Sequence, residues 1–90
     1  MEKIQASHIL VETEDRAREL YDRLNRGEDF GKLAAENSRC PSSRNGGDLG
    51  FFGRGQMVSA FETAAFECPV GQVVGPVQTQ FGYHLIKRTQ

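Results

Sequence analysis

Four side chains in this 90-residue sequence carry groups that acid–base, nucleophilic or metal chemistry uses most: His8, Cys40, Cys68 and His84. They are all the histidines and cysteines the chain has. The histidines sit near opposite ends, in "SHIL" and "YHLI", among residues that prefer to leave water. A lone strand histidine is more often a hydrogen-bonded structural residue than a catalyst. Two at matched strand positions suggest a paired site instead. Imidazoles in contact away from water cannot both carry charge cheaply, so at least one is expected neutral, donating from one nitrogen and accepting at the other. Cys40 reads three ways: a buried apolar residue, a metal ligand or a reactive thiol. Zinc recruiting His8, Cys40, Cys68 and His84 would lack the short C-x-x-C or H-x-x-x-H spacings of zinc sites. A thiol nucleophile with a histidine base is chemically possible, but no hydrolase signature surrounds Cys40. "GDLGFFGRGQMV" is glycine-rich without the Lys-Ser/Thr ending of a phosphate loop or the third glycine of a dinucleotide fingerprint. Met57 and Phe61 are either core or the lining of a pocket.

The elements that must position these groups follow from periodicity. Gln5–Val11 alternates as a strand, with Ala6, His8 and Leu10 on one face and Ser7, Ile9 and Val11 on the other. Thr13 is a helix N-cap followed by Glu14 and Asp15, and Ala17, Leu20, Tyr21 and Leu24 form an amphipathic stripe ending before Gly27. Asp29 caps a shorter helix bearing Phe30, Leu33 and Ala34. "NSRCPSSRNGGDLG" reads as loop with one irregular turn. Leu49–Phe52 is a short strand. Ser59 and Glu62 have the spacing of a capping box for a helix over about 60–67, stopped by Pro69. Strands near Val73–Gln78 and Tyr83–Arg88 flank a turn at Gln80-Phe81-Gly82. The order β, α, α, loop, β, α, β, β predicts an α+β domain in which helices pack against a four-stranded, mainly antiparallel sheet. If the first and last strands are neighbours, one of the two registers brings His8 and His84 together.

The totals bound the function. Residues 1–90 fit one domain, and the formal charge of -1 offers no general attraction to nucleic acid or an anionic membrane. No apolar run approaches the roughly 20 residues of a bilayer span, and the first residues lack a signal peptide's apolar centre. Two cysteines without a cysteine-dense framework point to reduced thiols and a cytoplasmic setting.

"SHILV", "GGDLGFFGRGQMVSAFETAAF" and "GPVQTQFGYHLIKR", in that order and spacing, resemble the parvulin-type peptidyl-prolyl cis/trans isomerases over nearly the whole chain. The stretch "FGKLAAENSRCPSSRNGGDLG" is similar to the small single-domain prokaryotic parvulins. The resemblance implies the parvulin, FKBP-like fold and a catalytic set of His8, Cys40, His84 and Thr79. It implies that Leu49, Met57 and Phe61 hold the proline ring and that Phe81 flanks the substrate. It also implies proline-containing peptides and unfolded or folding proteins as partners, no cofactor or metal, and a monomeric minimal catalytic unit. The chemistry is then rotation about an X–Pro bond. A proline-peptide or unfolded-chain holdase on the same fold is the alternative. Phosphate-preferring parvulins carry a basic cluster after the first strand, where this chain has the short, acidic Val11-Glu12-Thr13-Glu14-Asp15-Arg16. Val58 stands where those members often have glutamine. Phosphorylated substrates are therefore expected to gain nothing.

Overall fold

A computed structural model describes residues 2–90. Its strands are β1 (Lys3–Val11), β2 (Asp48–Gly53), β3 (Val73–Thr79) and β4 (Gly82–Arg88), and its helices are α1 (Glu14–Asn25), α2 (Phe30–Asn37) and α3 (Ser59–Glu67). The strands form one sheet in the order β2-β1-β4-β3, antiparallel throughout. The two strands farthest apart in sequence, β1 and β4, are thus the central pair. Pairing of His8 with Ile86 and of Leu10 with His84 sets both histidines on one face as diagonal neighbours.

Alternation divides the core. Ile9, Val11 and Leu85 face α1 and α2, meeting Ala17, Leu20, Phe30, Leu33 and Ala34. Ile4, Ala6 and Ile86 face α3, meeting Phe52, Phe61, Ala65 and Phe66. The first two helices begin as their sequences dictate: the side chains of Thr13 and Asp29 accept from the amides of Arg16 and Lys32. The capping box expected at Ser59 does not form. Val58 caps α3 without a side-chain bond, and Glu62 instead accepts from the Gly55 amide at 2.5 Å. The Gly53–Gln56 loop doubles back over the helix start and offers that donor first. The irregular turn is a 3-10 turn over Pro41–Asn45. No helix among the described residues is long and apolar enough to cross a membrane.

Two glycines place the site. The β1–β2 register shifts between Gln5 and Ser7, and Gly50 sits at φ +71° with open space around it. Strict alternation would put Leu49 and Phe52 on opposite faces; the shift lets both join the α3 side. Gly47, at φ +87°, lies so close to β1 that a Cβ there would fall 2.4 Å from the His8 carbonyl oxygen. Its own carbonyl accepts from the His8 amide at 2.9 Å. Gly50→Ala should therefore cost about 1–2 kcal/mol of backbone strain. Gly47→Ala should cost roughly 3 kcal/mol or more, because the β1 backbone must also move. Urea denaturation of the two variants checks this; equal losses would show that the close approach is unimportant.

Candidate active site

The α3 face of the β1–β4 pair is not sealed by the helix. Between them opens a cavity of about 490 Å³. Its floor is His8 and His84, and one wall is Met57 from the loop before α3 and Phe61 from its first turn, with Leu49 from β2. Cys40 and Pro41, at the entry to the 3-10 turn, form the facing side with Leu10, and Phe81 stands at the rim from the β3–β4 turn. Seven of the residues singled out from sequence thus converge on one space. Thr79 is set just behind them.

The floor is a hydrogen-bonded chain. The Nδ1 atoms of His8 and His84 stand 3.0 Å apart, their rings nearly parallel with centroids 5.2 Å apart. Phe61 meets both rings edge to face, at 5.4 and 5.2 Å. His84 Nε2 lies 2.7 Å from Thr79 Oγ1, which accepts from the Phe81 amide at 3.2 Å. Thr79 reaches His84 because it follows Val77, the direct partner of His84 across the β3–β4 pair, by two residues. A short Nδ1–Nδ1 contact needs one proton between its atoms. If His84 supplies it, His84 Nε2 accepts from the Thr79 hydroxyl and His8 carries its own proton on Nε2. If His8 supplies it, His84 Nε2–H donates to Thr79 and His8 Nε2 is bare. In both settings His8 Nε2 is left over, and it is indeed buried without a partner.

Both rings are neutral for physical reasons. His8 is 6% exposed and His84 3%. Burial first, and the neighbouring His84 second, push the His8 pKa down from 6.5 to about 4. Burial also lowers that of His84.

Cys40 lines the cavity without joining this chain. His8 Nδ1 and both nitrogens of His84 are engaged, and His8 Nε2 has no partner, so no thiol–imidazole bond exists. A nucleophile–base pair is not assembled here. Cys68 lies elsewhere, its thiol donating to the carbonyls of Gln72 (3.2 Å) and Pro69 (3.4 Å). The hypothetical four-ligand zinc site is therefore not brought together. Met57 and Phe61, which sequence left between core and pocket, are both at once: each belongs to the α3-side cluster and lines the cavity.

Sequence reasoning passed over Leu10, Arg39, Pro41 and Gln56, which with Val58 complete the lining. Leu10 was within reach, since it shares the strand face of His8. Gln56 was not: its Oε1 accepts from the Gly53 amide at 2.8 Å, a loop closure that no periodicity announces. Because Gly53 N–H can only donate, that bond fixes the amide orientation and leaves the Gln56 N–H groups for another acceptor.

Fold and site together define a small α+β domain with an apolar cavity over a buried, hydrogen-bonded floor. The family model described as Rotamase: PPIC-type PPIASE domain matches residues 3–90, and the chain belongs to that family, the PPIC-type peptidyl-prolyl cis/trans isomerases. The foldase protein PrsA of Geobacillus kaustophilus is 57% identical over 88 residues, which are 97% of this chain and 31% of that protein. The chain thus spans about a third of the length of such curated relatives. The crystal structure of PrsA from Bacillus subtilis superposes with a TM-score of 0.95 at 49% identity, covering 98% of this chain and 35% of that one. The solution structure of NmPin, the parvulin of Nitrosopumilus maritimus, gives 0.90 at 46% identity and covers 100% and 98%.

A pH dependence follows. Both imidazoles are less basic folded than unfolded, so on acidification the unfolded chain takes up protons first. Their contribution to stability is complete above pH 6.5 and drains away as the pH falls towards 4. For His8 alone it is on the order of 3 kcal/mol. Denaturant titrations from pH 7.5 to 4 should show this loss in the wild type and much less of it in a His8→Leu/His84→Leu variant; an identical slope would contradict a neutral pair.

Proposed function

We propose that this domain turns X–Pro bonds in peptides and in unfolded or folding proteins by non-covalent twisting, as a monomer and without preference for phosphorylated substrates. The observation that carries this reading is a buried, directly hydrogen-bonded imidazole pair beneath an apolar cavity, with the nearby thiol bonded to neither ring. Rotation about an amide must overcome roughly 18–20 kcal/mol, set by resonance that places negative charge on oxygen. Twisting returns that charge to nitrogen. A site that grips the ring and solvates the planar carbonyl poorly therefore favours the twisted state.

Leu49, Met57 and Phe61 supply the grip, while the carbonyl of the preceding residue turns against Cys40 and the histidine floor. A cationic floor would hold the charged oxygen of the planar amide and oppose rotation, so neutrality serves catalysis as well as folding. Only contacts that strengthen on twisting raise the rate, each 1.36 kcal/mol giving about tenfold. The apolar rim at Val58 and Phe81, 36% and 62% exposed, suits flanking segments of an unfolded chain. A pure holdase would need the socket but gain nothing from the buried polar floor. The free thiols fit a reducing, cytoplasmic compartment.

Phe61 is 3% exposed and packs against Phe52, so its truncation threatens the fold at about 3–5 kcal/mol. Met57 is the cleaner probe. In a cis-to-trans assay on proline peptides, Met57→Ala should lower kcat/KM by about tenfold, equivalent to roughly 1–2 kcal/mol of apolar contact. Cys40→Asp should retain measurable turnover. A folded wild type that binds proline peptides without accelerating them would leave the holdase reading. Complete loss in a folded Cys40→Asp would restore a covalent route.

A further inference from the structure

Among the described residues, Arg39 alone lines both of two neighbouring depressions. It lines the proline cavity and also a shallower one bounded by Glu12, Thr13, Arg16, Glu36 and Asn37. Its backbone is fixed, the amide donating to the Leu10 carbonyl at 2.8 Å, and Cys40 follows it directly in the chain. Its side chain is ion-paired with Glu12. Arg16, the other cation of the shallower depression, does not line the proline cavity and is already bonded to Glu19 and Asn37. Arg39 and Glu12 are 57% and 71% exposed, so their pair is solvated and readily exchanged for another partner.

We infer that Arg39, masked by Glu12, is the residue that reads the charge of the side chain preceding proline. The inference rests on the isomerase reading above: the carbonyl that turns beside Cys40 belongs to that preceding residue, whose side chain branches from the adjacent carbon, and Arg39, next to Cys40 in the chain, lines the same cavity. With Glu12 in place the lip of the cavity is close to electrically neutral, and acidic, neutral and basic residues are accepted alike. Without Glu12 the guanidinium is left to pair with the substrate.

The test is kcat/KM on matched peptides with Glu, Leu or Lys before proline, at low ionic strength, for the wild type, Glu12→Gln, Arg39→Gln and the double variant. The wild type should show a Glu-to-Leu ratio near one. Glu12→Gln should raise that ratio about two- to fivefold, the range an exposed ion pair commands, and lower the Lys-to-Leu ratio. The gain should vanish in the double variant and in about 1 M salt, where charges are screened beyond roughly 3 Å. An unmoved ratio in Glu12→Gln, or a gain that survives in the double variant, overturns the assignment to Arg39 while leaving the isomerase intact. Absence of wild-type turnover on the Leu peptide overturns both.

Discussion

One proton shared between two Nδ1 atoms 3.0 Å apart ties the ends of this chain together. The contact requires β1 and β4 to be neighbours, to run antiparallel, and to take the register that sets His8 diagonal to His84. Slipping β4 by one residue would turn His84 towards α1 and α2 and bring Leu85 into its place. Gly47 pressed against the His8 backbone, and Thr79 behind His84, fix the rings from either side. Burial keeps both neutral, since a charge on either ring would lose much of its hydration.

Site and core share the same atoms. Phe61 packs on Phe52 inside the sheet–helix interface and edge-on against both imidazoles, so the wall of the cavity is also structural packing. That makes the wall rigid. It also means that truncating such a residue removes fold and function together. Met57 and Leu49, only half-buried, separate the two better, and the chain confines adaptable contacts to the rim at Gln56, Val58 and Phe81.

Much of this was legible in sequence where local chemistry decides. Thr13 and Asp29 cap their helices as their positions suggest, the Ala17–Leu24 stripe meets the sheet, and alternation alone puts Ala6, His8 and Leu10 on one face. Alternation yields only parity, however; which strands are neighbours comes from packing of the whole. Where tertiary closure competes with a local motif, the motif loses. Glu62 abandons its capping box because the preceding loop presents the Gly55 amide. Leu49 reaches the cavity only through a register shift at Gly50, which strand patterning would have denied it. Thr79, Leu49 and Phe81 were identified through family resemblance, and Gln56 and Arg39 through neither route, because a loop residue's role depends on contacts made far away in sequence.

The account stands on a pair of uncharged imidazoles joined through Nδ1. Nitrogen-15 NMR of the two rings observes this directly at pH 7 and again near pH 5.5. The expected spectrum has one ring protonated at Nδ1 and the other bare there, or a fast average of the two settings, with no imidazolium at pH 7 and His8 still uncharged near pH 5.5. Two rings both protonated on Nε2 alone, or a cationic ring at pH 7, would contradict it.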